Sequence, residues 1–229
     1  MKNLLIKNFF KNKKVIITGH TGFKGSWLTF WLNQLGAKIC GISKDIPTSP
    51  SLFKSLKLKN RISDNRLDLR DLSKLKKKIK HFQPDFLFHL AAQAIVKRSY
   101  NDPIDTFTTN SIGTLNILES LKVLKNKCNV VLITSDKSYK NLEISRGYKE
   151  TDELGGYDPY SASKGCAEFI IKSYFKSYYF KKNNVKIGVA RAGNVIGGGD
   201  WSENRVIPDS FKAWSKNIPV SIRSPYSTR

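Results

Sequence analysis

The chain has 229 residues, 40% of them hydrophobic, with four tryptophans. That is enough for one large α/β domain, short for two full domains, and too apolar for a disordered chain. The formal charge of +22 raises a nucleic-acid partner, but lysines outnumber arginines 31 to 9 and are scattered over nearly every predicted helix and loop. Base readers favour arginine forks and aromatic platforms on one face, so the charge reads as a lysine-rich surface and no nucleic acid is expected. Cys40, Cys128 and Cys166 lie far apart and form neither a disulfide framework nor a metal spacing, which points to a reducing, cytoplasmic setting. The opening MKNLLIKNFFKNKK has apolar runs broken by Lys7 and Lys11 and is not read as a signal peptide. No apolar run nears the ~18 residues of a membrane helix, so no membrane partner is expected.

In chain order, Lys14–Thr18 (KVIIT) is a β-branched strand, followed by glycines and an amphipathic helix from about Lys24 to Leu35 that Gly36 ends. Ala37–Ile42 reads as the second strand, Asn65–Asp68 as part of a third, and Asp71–Lys80 as helix. Asp85–Leu90 and Val130–Thr134 are buried strands, separated by a long helix over 105–124. A second long helix covers 158–181, and Val185–Ala190 is a further strand. After Gly197 the pattern changes: a GGGDW loop, a helix over Ile207–Lys216 and a short strand at Val220–Ile222. Alternating strands and helices imply a doubly wound parallel sheet with ligands at the carboxyl ends of its strands. Residues 1–192 are expected to form a dinucleotide-binding domain. Residues 193–229 would begin a substrate-binding part that is incomplete here.

Gly19, Gly22 and Gly25 fall between the first strand and first helix. The first permits a tight turn, the second lets backbone amides approach a pyrophosphate, and the third lets helix pack on strand. The second strand ends without an acidic group at Ser43. Asp45 is available for a ribose hydroxyl and Lys44 suits a 2′-phosphate, so the residues leave NAD and NADP both open. Asp68 suits either the adenine amino group or a helix cap near Asp71.

Tyr160 and Lys164 share a helix face at i and i+4. An ammonium and a cationic nicotinamide would lower the phenol from its ordinary value of about 10, giving a base for a sugar hydroxyl. Ser135, Asp136 and Lys137 follow the buried strand VVLIT, at the end of a strand that faces the site. Ser135 is placed to bond the reacting hydroxyl, Asp136 to exchange a proton at a neighbouring carbon, and Lys137 to act as an amine base.

These features resemble the extended short-chain dehydrogenases, and within them the CDP-glucose 4,6-dehydratase branch. The matching stretches are GHTGFKGSWL, HLAAQAIVKRSY, TSDKSYKN, GYKETDELGGYDPYSASK, ARAGNVIGGGDW and RVIPD. The Ser135–Asp136–Lys137 block is the most specific, since related dTDP-glucose dehydratases carry an acidic residue where Lys137 stands. The resemblance implies bound NAD, held by Gly19, Thr21, Gly22, Phe23, Gly25, Asp68, Leu69, Leu90, Ala91, Ala92, Tyr160 and Lys164. It implies oxidation at C4 with Tyr160 as base, loss of water across C5 and C6 with Asp136 as acid, and hydride return to C6. Gln93, Asn194 and Arg205 would contact the sugar nucleotide. It further implies a homodimer built on the two long helices, where Tyr174, Phe175 and Tyr178 serve either the interface or the internal core. A place in cell-surface polysaccharide synthesis is also implied. The family normally continues for over a hundred residues beyond Arg229, so a truncated chain is expected. An epimerase, a dTDP-glucose dehydratase and an inactive cofactor-binding fragment are the competing readings.

Overall fold

The computed structural model describes residues 8–181, 184–222 and 225–226. The stretch before residue 8 and much of the closing SPYSTR lie outside the described residues. Six strands form one sheet: β1 (Lys14–Thr18), β2 (Lys38–Ser43), β3 (Ser63–Arg66), β4 (Phe86–His89), β5 (Cys128–Ser135) and β6 (Val185–Ala192). Their order is β3-β2-β1-β4-β5-β6, and every pairing is parallel. The expected doubly wound sheet is therefore present, and the strand order reverses between β1 and β4, where such sheets bind ligands.

The helices are α1 (Phe23–Gln34), α2 (Leu52–Ser55), α3 (Leu72–Phe82), α4 (Val96–Asn101), α5 (Pro103–Phe107), α6 (Gly113–Ser120), α7 (Pro159–Tyr174) and α8 (Val206–Trp214). Side chains alternate across a strand, so β1 feeds two cores. Val15 and Ile17 pack with Leu32 of α1, while Ile16 packs with Leu75 and Ile79 of α3, Ile117 and Leu118 of α6, and Ile171 of α7. This puts α1 on one face and the other long helices on the opposite face.

Several expectations need correction. β3 lies two residues earlier than expected, so Asp68 sits in the loop beyond it. The expected helix over 105–124 is broken. Asp102 caps α5 by accepting from the Asp105 amide, and residues 108–112 form a π turn before α6. Thr108 Oγ1 donates to the Ile104 carbonyl at 2.7 Å, the side-chain competition that loosens a helix ladder. The π turn aims Asn110 inward, where its amide bonds the Gln93 carbonyl and Ser163 Oγ. The expected 158–181 helix likewise ends in a π turn over Phe175–Tyr179. Val220–Ile222 is irregular rather than a strand. Pro219 lacks a donor, and the flanking Ile218 and Ile222 are exposed, so no apolar face drives pairing. Helices α2 and α4 were not anticipated. Phe53 of α2 and Ser99 of α4 are both buried.

Candidate active site

The glycine loop is built by contact. Gly19 has φ +74 and donates from its amide to the Ile42 carbonyl at 2.8 Å. A Cβ on Gly19 would lie 2.7 Å from the Ala91 amide nitrogen, and one on Gly25 only 2.0 Å from the Gly19 carbonyl oxygen. Gly22 is the N-cap of α1, no side chain caps the helix, and its first turn holds no acidic residue. The leading amides of α1 thus face a glycine cradle, the arrangement that accepts a pyrophosphate. A dinucleotide fits this chain on those grounds. Phe23 opens α1. Leu69 is buried. The Leu90 and Ala91 amides donate to the Thr18 carbonyl and Thr18 Oγ1, tying the β4 end to the loop, and Ala92 follows.

The end of β2 holds a network that the sequence did not suggest. The buried His20 ring bonds Ser43 Oγ through Nδ1 and Asp64 Oδ1 through Nε2, both at 2.8 Å. Burial lowers the His20 pKa, with the Asp64 bond opposing it. A Cβ on Gly41 would fall 2.4 Å from this ring. An interior strand glycine marks such a close approach, and it was the signal available. Ser43 is engaged by His20 and by the Thr21 amide, while Thr21 Oγ1 donates to the Asp45 carbonyl. Asp71, not Asp68, caps α3, accepting from the Lys74 amide. Asp68 instead pairs with Arg70 at 2.6 Å, and that bond holds its carboxyl below the ordinary range.

The chemistry converges where β5 ends. Ser135 Oγ donates to Asp136 Oδ1 at 3.0 Å and accepts from the Lys137 amide at 3.2 Å, closing a tight turn over Asp136–Ser138. Asp158 caps α7 through the Ser161 amide, and Pro159 opens the helix. This delivers Tyr160 to the first turn and Lys164 one turn later, both buried. Burial raises the Tyr160 phenol above its ordinary value, a bond from Ser135 and the Arg205 charge pull it down, and Asp136 and Asp158 push it up. Desolvation is the largest of these effects on the phenol. Burial, with Lys24 adding like charge, brings Lys164 itself down to about 8, and Glu168 opposes.

Lys24 was missed, although it stands between the second and third glycines of the motif. Burial lowers its pKa, Arg205 adds to the fall and Asp136 opposes it, so these three groups share one field. Arg205 is half-buried and bonds Asp200 at 3.1 Å, while Asn194 lies exposed beyond β6. The structure engages Gln93 within the fold. Its amide donates to the Ile95 carbonyl and Thr106 Oγ1, and its oxygen accepts from the Ile95 amide. Lys137 is half-buried and, with Asp136, opens onto a cavity of about 1230 Å³ between β6, α7 and the 139–150 loop. Glu168 and Arg191, also missed, form its wall as a bidentate pair at 2.9 and 3.1 Å. Thr134 Oγ1 donates to the same carboxylate at 2.5 Å, and the Arg191 guanidinium lies 4.6 Å from the Tyr139 ring centre. Among the described residues, no cluster of potential ligands could hold a metal, and no helix is long and apolar enough to cross a membrane.

A doubly wound sheet with a glycine cradle and a Tyr–Lys pair is the arrangement of the extended short-chain dehydrogenase fold. Residues 16–188 match the family model described as GDP-mannose 4,6 dehydratase, and the chain belongs to that family. It is 46% identical over 230 residues to CDP-glucose 4,6-dehydratase of Salmonella typhimurium, covering 99% of this chain and 64% of that protein. It is 30% identical to dTDP-D-glucose 4,6-dehydratase of Dictyostelium discoideum, covering 92% of this chain and 50% of the relative. Among solved structures, UDP-N-acetylglucosamine 4-epimerase from Methanobrevibacter ruminantium superposes with a TM-score of 0.77 at 27% identity, covering 91% of this chain and 64% of that one. The chain thus spans under two thirds of these relatives.

Proposed function

We propose that the chain is the cofactor-binding and catalytic part of an NAD-dependent CDP-glucose 4,6-dehydratase, a lyase that makes CDP-4-keto-6-deoxyglucose. The observation that carries this reading is the Ser135–Asp136–Lys137 turn set against the Tyr160 phenol, with Asp136 also acting on Lys24 beside the glycine cradle. The similarity to the Salmonella enzyme supports the CDP-sugar assignment. Residues 1–192 form the dinucleotide domain, and 193 onward begins the part that holds the sugar nucleotide.

Bound NAD supplies the acceptor for the C4 hydride and the donor that returns it at C6. Tyr160 takes the proton of the 4-hydroxyl, with Ser135 holding that oxygen. The resulting ketone acidifies C5, and Lys137 is placed to take the C5 proton. Asp136 in its protonated form delivers a proton to the C6 hydroxyl, which leaves as water. Lys137 then returns a proton to C5 as C6 is reduced, and the proton left on Tyr160 passes by way of Ser135 to Asp136, so atoms and electrons balance. Lys164, on the buried face of α7, would hold the cofactor ribose, and Asn194 and Arg205 would bind the diphosphate. Gln93 orders the loop after β4. Exposed Phe169, Tyr178 and Phe180 along α7 and its π turn support a homodimer, while Tyr174 and Phe175 pack against the core. Free Cys40, Cys128 and Cys166 fit a cytoplasmic enzyme.

The test is incubation of the protein with NAD and CDP-glucose, followed by mass spectrometry. The expected product is lighter by one water. A product of unchanged mass with inverted C4 would establish an epimerase instead.

A further inference from the structure

The three consecutive glycines 197–199 take part in no step of this reaction, yet their surroundings are specific. Leaving β6, the chain passes Asp136, with a Cβ on Gly193 lying 3.8 Å from Asp136 Oδ2. It then crosses the first turns of α1. A Cβ on Gly197 would lie 3.2 Å from the Phe23 ring, and the Trp27 indole N–H donates to the Gly198 carbonyl at 2.9 Å. Gly199, at φ +84, lies so close to α2 that a Cβ would fall 2.6 Å from Leu52 Cδ1. Beyond it, Asp200 has a side chain only 5% exposed and accepts from the Ser202 amide and from Arg205 Nη1. Lys212 donates to the Trp201 carbonyl and fixes the far end to α8.

This path runs from the catalytic turn after β5, over the helix start that faces the pyrophosphate, to the adenosine side of the sheet. Residues with Cβ atoms at 197 and 199 would hold it off α1 and α2. Just beyond this path, Asp200 holds Arg205, whose charge reaches both Tyr160 and Lys24.

We propose that Trp27 is a positioning residue whose indole N–H latches the 193–201 strap across the first turns of α1, closing the dinucleotide groove and, through Asp200, aiming Arg205 at the substrate diphosphate. The proposal rests on the functional reading above. Its first half concerns cofactor residence and its second half substrate affinity, and the two are measured separately.

Trp27→Phe keeps an aromatic ring and removes the N–H donor with the five-membered part of the indole. NADH release, followed by fluorescence after a chase with excess NAD, is expected to quicken about five-fold, the scale of one neutral hydrogen bond. CDP binding by calorimetry is expected to weaken by a similar factor. Trp31→Phe, one turn along α1 and 53% exposed, is expected to leave both unchanged. Asp200→Asn, a second and nearly isosteric variant, is expected to weaken CDP binding more than it quickens NADH release. NADH release from Trp27→Phe at the parental rate overturns the latch, whatever CDP does. Faster NADH release with unaltered CDP affinity in both variants overturns the aiming of Arg205 and leaves the latch standing. A parent that binds NADH but not CDP refutes the CDP-sugar assignment, and the release rates still decide the latch.

Discussion

The two halves of the sheet are stabilised by different means. On the β1–β2 side, four of the five β1 residues and five of the six β2 residues are buried, and tight glycine contacts set the loop. On the β5–β6 side, β6 is an edge strand that exposes Gly188 and Val189. There a part-buried ion pair, Glu168 with Arg191, joins β6 to α7, and the Arg191 guanidinium over Tyr139 joins both to the turn after β5. Backbone fit builds the half proposed to hold the cofactor, and side-chain charge braces the half proposed to hold the substrate. On that reading, the first half needs one fixed shape for a dinucleotide, and the second needs charged groups close together, held apart from water by partners.

The largest expected effect tests the bracing. Arg191→Met keeps most of the apolar stem and leaves the Glu168 carboxylate buried without its cation. Removal of one partner from such a pair costs about 3–5 kcal/mol. For a domain of this size the melting temperature should fall by roughly 6–20 °C. The double variant Glu168→Gln with Arg191→Met should recover part of the loss. A fall under 2 °C in the single variant would show that β6 is held by its apolar contacts alone.

The cofactor half breaks differently. Gly25→Ala places a methyl where the Gly19 carbonyl oxygen sits, so the loop must move. A displacement of about an ångström at a built site costs on the order of 100-fold, and NADH affinity should fall by at least that much. Fluorescence titration measures it. Parental affinity would mean that the loop gives way freely and that the cradle is not what selects glycine.

Much of this division could be read in the residues beforehand, and the reasons for the gaps are local. The strand–glycine–helix order and the i, i+4 spacing of Tyr160 and Lys164 are short-range patterns, and both appear as expected. His20, Lys24, Glu168 and Arg191 act through partners 23 to 44 positions away along the chain or through fields that only the fold assembles. Gly41 inside β2 was the one visible sign of His20. The π turn at 108–112 exists because Asn110 must reach both the loop after β4 and α7, a demand invisible to helical periodicity. The burial of Tyr160, which raises its phenol, is likewise set by the fold and not by the i, i+4 spacing.

Between the halves stands Tyr160, and Tyr160→Phe separates binding from chemistry. The ring still fills its place under Ser135, so NADH affinity should stay within about two-fold. Turnover should fall about 100-fold, the usual scale for a lost general base. Turnover within a few-fold of the parent would remove Tyr160 from the proton transfer.

The smallest effect concerns His89, at the seam where β4 joins the two halves. Its ring is fully buried, with Nδ1 2.7 Å from Thr18 Oγ1 and Nε2 3.2 Å from Thr114 Oγ1. Burial, with Lys164 adding like charge, brings its pKa down to about 3 from 6.5. Between these two values the unfolded chain binds a proton that the folded chain does not. Stability therefore rises with pH across that window and is lost as pH falls through it, by up to about 1.4 kcal/mol per unit. Below about 3 both states are protonated and this slope vanishes. Lys164 follows the same sign at the alkaline end, gaining stability between about 8 and 10.5. Carboxylates such as Asp68 and Asp152, with folded values held low by arginines, lose their contribution only in more acid solution. His20, also lowered by burial, adds a slope of the same sign, so the parent's slope alone cannot be assigned to one ring. The difference between the parent and His89→Gln can. Glutamine keeps hydrogen-bonding groups for the two threonines and carries no titrating proton. Urea unfolding between pH 4.5 and 6.5 should show the parent losing stability faster than the variant. Parallel slopes would mean that His89 keeps its ordinary pKa, and that the seam between the halves admits a charge its burial should forbid.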